Sequence, residues 1–235
     1  RYWFLKTSVS KNSRIPTLND MYWSPGGNPE LKNETGTSAE LTWEMNSFHS
    51  GPFRLKYDIT FFRNKISNLI QWRPGYFSYW EAVNLGTVFT SGIETGTAMA
   101  YSFKSVLLSL DAGYVHTKAE AKEKNSDNAS LDGCQLVYVP ENELNFLLRM
   151  KWRKFFAAFN TKYTGKRYLT ADNSGYLPHY AVCALNMGTR FEGIRNSVDL
   201  SFSVDNLFDA AYQNMAYYPM PGRNIYLSVS YQKTI

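Results

Sequence analysis

The chain is poor in the side chains on which most chemistry depends. Two cysteines, Cys134 and Cys183, stand far apart with no second pair near them, which excludes a disulfide framework and a cysteine-ligated zinc site. The three histidines, His49, His116 and His179, fall at a short turn, at the outer end of a strand and near the start of another. A metal site needs convergent ligands, and this spacing gives none. Asp127 with Asn125 and Asn128 lacks the periodic carboxylates and the glycine of a calcium loop. Neither a glycine-rich phosphate loop nor a nucleophile elbow occurs. The expectation is a protein with no catalytic residue, no metal and no cofactor.

Charge is also sparse, at 19% of 235 residues, with 25 basic and 20 acidic side chains scattered along the chain. Only Lys151, Arg153 and Lys154 cluster, so the basic stripe required for nucleic acid is missing and no nucleic-acid partner is expected. No apolar run approaches the roughly 18 residues of a membrane helix. That excludes a helical membrane protein but leaves a spanning β-barrel, in which lipid-facing residues alternate with polar ones and mean hydropathy stays low. The mean hydropathy is −0.38. The chain opens on Arg1-Tyr2-Trp3-Phe4-Leu5 with no initiator Met or signal segment, and is expected to be a fragment.

Aromatic residues are plentiful, with 6 Trp, 17 Tyr and 15 Phe, and the hydrophobic pattern around them has a period of two. Val198, Leu200, Phe202 and Val204 alternate with Ser197, Asp199, Ser201, Ser203 and Asp205; Ile225, Leu227, Val229 and Tyr231 repeat the pattern near the end. The same alternation runs through Leu41 to Met45, Phe53 to Phe61, Val106 to Tyr114 and Leu144 to Trp152. Each reads as a strand with one apolar side. Weaker alternation near 86 to 102, 155 to 167 and 179 to 190, together with Arg1 to Val9, brings the expectation to about ten strands. Connections are short at 47 to 52, 102 to 105, 152 to 154 and 191 to 196, and longer at 11 to 34, 74 to 83, 118 to 137, 168 to 177 and 207 to 221. Short turns on one rim and long loops on the other are the habit of outer-membrane barrels. Aromatics at strand ends, such as Tyr101 with Phe103 and Trp152 with Phe155 and Phe156, suit an interfacial girdle.

Four stretches in order carry a family resemblance. They are Arg14-Ile15-Pro16 to Tyr22-Trp23 followed by Gly27-Asn28-Pro29-Glu30-Leu31 to Glu34; Asn84-Leu85-Gly86 with Gly92-Ile93-Glu94; Asp205-Asn206-Leu207-Phe208-Asp209 with Tyr212; and Pro221-Gly222-Arg223-Asn224 before the last alternating strand. Residues 1 to 235 so read resemble the C-terminal part of the β-barrel of TonB-dependent outer-membrane receptors, most closely the cobalamin and siderophore branch. Each motif also has a plain architectural role, Asn206 and Asp209 bonding nearby backbone where a strand ends, Gly92 allowing a close approach on the lumen side.

The resemblance implies an all-β, antiparallel, up-and-down transmembrane barrel segment, about ten strands of a 22-stranded barrel with a plugged lumen. The plug, the first strands and the box that engages TonB would lie outside this chain. It implies location in the bacterial outer membrane and uptake of a scarce, bulky nutrient. The implied partners are the TonB complex, the plug and N-terminal strands, membrane lipid and a surface lipoprotein. Candidate ligand contacts are the loop residues Tyr22, Trp23, Asn28, Tyr76, Tyr79, Trp80, Tyr176, Tyr217 and Tyr218, since Tyr and Trp offer large contact area with a polar tip at little entropic cost. The stretch from Met21 to Pro29 favours a neutral corrinoid, with a ferric siderophore as the alternative. Two other classes compete: a closed ten-stranded outer-membrane protease or lipase, which would need clustered Asp and His at the strand tops, and a soluble β-sheet binding module, whose apolar faces would have to meet in a core.

Overall fold

The computed structural model describes residues 2–47, 51–75, 79–122, 133–193 and 195–233. In chain order the elements are β1 (Tyr2–Arg14), α1 (Leu18–Tyr22), β2 (Glu34–Ser47), β3 (Phe53–Ser67), β4 (Ile70–Pro74), β5 (Trp80–Asn84), β6 (Thr87–Phe103), β7 (Val106–Lys122) and β8 (Asn142–Trp152). They continue with β9 (Phe155–Thr164), β10 (Arg167–Tyr168), β11 (Tyr176–Leu177), β12 (Tyr180–Glu192), β13 (Asn196–Asp205), β14 (Gln213–Met215), β15 (Tyr218–Pro219) and β16 (Asn224–Lys233). Ten of these form one sheet in the order β1-β2-β3-β6-β7-β8-β9-β12-β13-β16, and the other six pair into three small hairpins inside the long loops. Every pairing is antiparallel between successive long strands. The expected meander is therefore the observed one.

Register follows from alternation, because a slip of one residue would turn every apolar side chain to the other face. Leu200 stands opposite Val229 and Phe202 opposite Leu227; Met187 stands opposite Phe202, Leu148 opposite Phe159 and Leu110 opposite Leu148. These side chains share one face, and no second sheet covers it: Leu227 is 78% and Val229 67% exposed. A soluble sandwich would have enclosed them, so the face is the one that meets lipid.

The opposite face is polar and laced across strands. Lys6 Nζ reaches Glu44 Oε2 at 2.6 Å, and Lys56 approaches the other Glu44 oxygen at 3.8 Å. Thr42 and Thr60 hydroxyls bond at 2.8 Å. Arg149 pairs with Asp111, and Arg190 clamps Asp199 through Nε at 2.6 Å and Nη2 at 2.8 Å. Two glycines on this face have a cross-strand phenyl ring lying over them, Phe62 over Gly92 and Phe156 over Gly188. A Cβ there would come to 2.6 Å of the Phe62 ring or 2.7 Å of the Phe156 ring. The ring covers the glycine, and the close approach expected of Gly92 is made by this ring together with the His116 carbonyl of the neighbouring strand.

Three details depart from the sequence reading. The first strand runs on to Arg14 rather than ending near Val9. The connection expected at 74 to 83 begins sooner and is structured, residues 70 to 84 forming the β4–β5 hairpin; the chain leaves β3 through Asn68 at φ 58, and the Ile70 amide donates to Glu34 Oε1 at 2.6 Å. Finally, the loop after β1 contains α1, opened by a capping box in which the Thr17 hydroxyl accepts from the Asp20 amide and Asp20 accepts from the Thr17 amide. The hydrophobic core lies at this end of the sheet, where Leu31, Ile70 and Ala82 pack with Trp72.

Candidate ligand-binding rim

Asp20 is 5% exposed at the top of the sheet. Its Oδ2 accepts from the Thr17 amide at 3.0 Å, the Thr17 hydroxyl at 2.8 Å and Arg14 Nη2 at 2.9 Å, and its Oδ1 accepts from the Trp72 indole at 3.0 Å. Arg14 also donates to Glu34 Oε1 at 3.1 Å. One carboxylate thus ties the end of β1, the helix and the β4–β5 hairpin together. Burial pushes the Asp20 carboxyl up, but the Thr17 amide, the Trp72 indole, the Thr17 hydroxyl and the Arg14 charge together outweigh it and hold it below its ordinary value of 3.8.

The same loop is fastened to the next one by backbone and amide bonds. The Ala82 amide donates to Gly26 O at 2.8 Å, and Asn84 exchanges bonds with Lys32, accepting from its amide at 2.7 Å and donating to its carbonyl at 3.0 Å. From there the Trp80 ring meets Tyr138 at 6.1 Å between centroids. The Tyr138 amide donates to Tyr168 O at 2.8 Å, while Asn173 accepts from the Gln135 amide and donates to its carbonyl. Buried Arg167 then donates to Gln213 O at 2.9 Å and Pro178 O at 3.1 Å, with its guanidinium 4.9 Å from the Tyr180 ring centroid. The loops of residues 15–33, 68–86, 133–141, 165–179 and 206–223 are therefore linked in an unbroken series. The last is closed by buried Asn206, which bonds Ala210 and Pro221 carbonyls, and by Asp209 accepting from the Arg223 amide.

On this fastened rim the sequence candidates divide. Tyr22 and Trp23 are exposed and share a shallow depression of about 410 Å³ with Leu18, Asn19 and Ser24. Tyr217 is 93% exposed beside exposed Tyr218 on the β14–β15 hairpin, and Tyr176 is exposed on β11 with Lys166 over its ring at 5.5 Å. These five side chains are available to a ligand. Asn28 is engaged internally, accepting from the Glu30 amide at 3.0 Å and donating its own amide to Asp20 O at 2.8 Å. Trp80 is half-buried in the loop contact with Tyr138, and the Tyr79 carbonyl accepts from the Gly75 amide. Tyr76 lies outside the described residues, as do His49 and the Asn125 to Asn128 stretch. His116 bonds Asn142 at 3.0 Å, and His179 packs 5.9 Å from the Tyr163 ring. The residues that sequence reasoning missed are the fasteners Asp20, Trp72, Gln135, Arg167 and Asn173. Of these only Asp20 carried a local signal, three residues after Thr17.

Beneath the rim the polar face holds a groove of about 830 Å³, which runs from Tyr180, Tyr212 and Asn214 down to Lys56, Asp58 and Asp111. No group of three His, Cys, Asp or Glu converges anywhere among the described residues.

The model of the TonB-dependent receptor-like β-barrel matches residues 2–207. The chain belongs to this family. As a member of the TonB-dependent receptor family it is an outer-membrane β-barrel segment, and the family consists of transporters rather than enzymes. The Vitamin B12 transporter BtuB of Vibrio vulnificus is 27% identical over 231 residues, covering 96% of this chain and 34% of that protein. Its counterpart from Photobacterium profundum is 26% identical, covering 97% and 35%. The chain thus spans about a third of the length of the curated relatives it matches. Among solved structures, the copper transporter OprC superposes with a TM-score of 0.74 at 18% identity, covering 97% of this chain and 37% of that one. The siderophore receptor PiuA from Acinetobacter baumannii superposes with a TM-score of 0.72 at 18% identity, covering 97% and 33%. At such identities these two speak to the fold alone.

Proposed function

We propose that the protein to which this segment belongs captures a scarce, bulky nutrient on its loop rim and passes it through the lumen, with energy delivered by the TonB complex to an N-terminal region outside this chain. The two outer strands of the sheet, β1 and β16, have no neighbour on one side, and an open edge is not tolerated in hydrocarbon, where each unsatisfied backbone group costs several kcal/mol. The remaining strands and a plug complete the barrel in this reading. A surface lipoprotein is a further candidate partner at the loop rim.

The favoured ligand is a corrinoid. The observation that carries this reading is the fastened rim itself: Tyr22, Trp23, Tyr176, Tyr217 and Tyr218 stand exposed on loops that are already cross-linked. A rigid aromatic surface suits a large, flat macrocycle, because little ordering cost remains to be met on binding. The similarity to vitamin B12 transporters supports the same choice. The experiment is binding of cyanocobalamin against a panel of ferric siderophores by the complete receptor, with Trp23→Ala as probe. Saturable corrinoid binding that weakens in the variant is the expected result. Capture of a ferric chelate without corrinoid binding would move the assignment to iron uptake.

A further inference from the structure

The short-turn rim carries a feature that uptake does not use. The turns Lys104-Ser105 and Arg153-Lys154 each join strands through two residues, between the pairs Phe103 with Val106 and Trp152 with Phe155. In both, the first turn residue has a left-handed backbone, Lys104 at φ 50 and Arg153 at φ 52. Glycine takes that conformation at lower cost. In each case a cation stands there instead and lies over the aromatic ring just before it, Lys104 5.3 Å from the Phe103 centroid and Arg153 5.8 Å from the Trp152 centroid. Lys154 lies over two rings, at 5.6 Å from Phe155 and 4.6 Å from Phe191. All four rings belong to the lipid-facing side and are exposed.

These turns are joined along the rim. The Arg153 amide donates to Ser105 O at 3.3 Å, and the Arg190 amide donates to Lys154 O at 3.0 Å. Where they meet opens a depression of about 800 Å³, lined by Arg153, Lys154, Phe155, Phe191 and Glu192 of the rim and, from the polar face, by Lys151, Phe156 and the Arg190–Asp199 pair. Asp199 is committed to Arg190. Among the described residues no carboxylate lies within ion-pair distance of Lys104, Arg153 or Lys154.

We propose that the lipid-facing side of these joined turns is a binding site for an anionic phospholipid, with Lys154, Arg153 and Lys104 on the headgroup phosphate and Phe103, Trp152, Phe155 and Phe191 against the upper acyl chain. Short turns of outer-membrane barrels face the periplasm, so the lipid belongs to the inner leaflet of that membrane. A soluble anion would have use for the cations but none for exposed rings at membrane level. Basic clusters at the membrane surface beside apolar area have this recognition chemistry in general.

The test uses the complete receptor, reconstituted in mixed phosphatidylglycerol and phosphatidylcholine and then exchanged into detergent, with retained lipid counted by mass spectrometry. Enrichment of phosphatidylglycerol is expected, falling roughly fivefold for each cation removed in Lys104→Gly, Arg153→Gly and Lys154→Gln. The two glycine variants relieve the left-handed backbone, so the fold is retained while the cation is lost. Lys32→Gln on the opposite rim leaves enrichment unchanged. Equal retention of both lipids, or full enrichment in the triple variant, overturns the proposal. So does displacement by inorganic phosphate alone, which would make the cluster a simple anion site, or selective displacement by an acidic peptide, which would make it a protein dock. Ligand uptake plays no part in this readout, so the proposal fails or stands independently of the proposed nutrient.

Discussion

The two rims of the sheet handle charge in opposite ways. At the long-loop rim Asp20 and Arg167 are buried, and the described loops are fastened one to the next through them, through backbone and amide bonds and, between Trp80 and Tyr138, through a ring contact. At the short-turn rim the cations Lys104, Arg153 and Lys154 are exposed and lie on aromatic rings. Long loops lose much conformational entropy on ordering, and a buried charge with several donors offsets that loss. Two-residue turns have almost no freedom to lose, so their side chains are released from structural work and can face outward. In the proposed reading, ligand capture belongs to the first rim and lipid contact to the second.

The most demanding test of this contrast is Asp20→Ala. It strands Arg14 beside Glu34 alone and removes the acceptor of the Trp72 indole and the Thr17 amide. A loss of about 3 kcal/mol in the local stability of residues 15–33 is expected, measured as faster amide exchange there and in β4–β5. Lys154→Gln on the other rim should leave exchange unchanged; an equal effect from both would erase the distinction. Arg167→Met keeps the volume but removes the donors to Gln213 and Pro178 carbonyls. About 2 kcal/mol is expected, seen as loosening of β14–β15 and weaker ligand binding through Tyr217 and Tyr218, while Trp23 fluorescence is unaltered.

Acid should imitate the first substitution in weaker form. The Asp20 carboxyl titrates below its ordinary 3.8 when folded, so the unfolded loop binds the proton more readily. Its contribution is complete above 3.8 and is lost as pH falls from there through the depressed folded value. Exchange in residues 15–33 should accelerate over that window in the parent and not in Asp20→Asn. Acceleration of equal size in both would assign the effect to another group.

The sheet was legible because its signal is local and repeated: alternation fixes a strand, its face and, through the face, its register, as the Phe202–Leu227 and Leu200–Val229 pairs show. Asn206 was legible as a backbone-bonding residue because an Asx side chain acts within a few positions, here on Ala210; Asp209 also bonds backbone, but at Arg223, 14 positions on. The fasteners were not. Trp72 meets Asp20, and Arg167 meets Gln213, only after intervening strands have brought distant loops side by side. No pattern along the chain marks such a partner. For the same reason the internal contacts of Asn28 with Glu30 and of Trp80 with Tyr138 could be seen only in the fold.

The smallest effect runs in the opposite direction and tests the short-turn rim directly. Lys104 occupies a left-handed position at φ 50, which costs a non-glycine residue roughly 1–2 kcal/mol. Its ring contact with Phe103, at 5.3 Å, returns about 0.5–1 kcal/mol at an exposed site. Lys104→Gly removes both, and glycine adds entropy to the unfolded chain that must be lost again on folding. The balance is a gain of about half a kcal/mol or less, read from reversible urea unfolding of the complete receptor in lipid. If lipid bridges the turn, that gain appears in phosphatidylcholine and is cancelled in phosphatidylglycerol, where losing the cation also loses a headgroup contact. A gain of the same size in both lipids would show Lys104 to be no more than a tolerated residue in a strained turn.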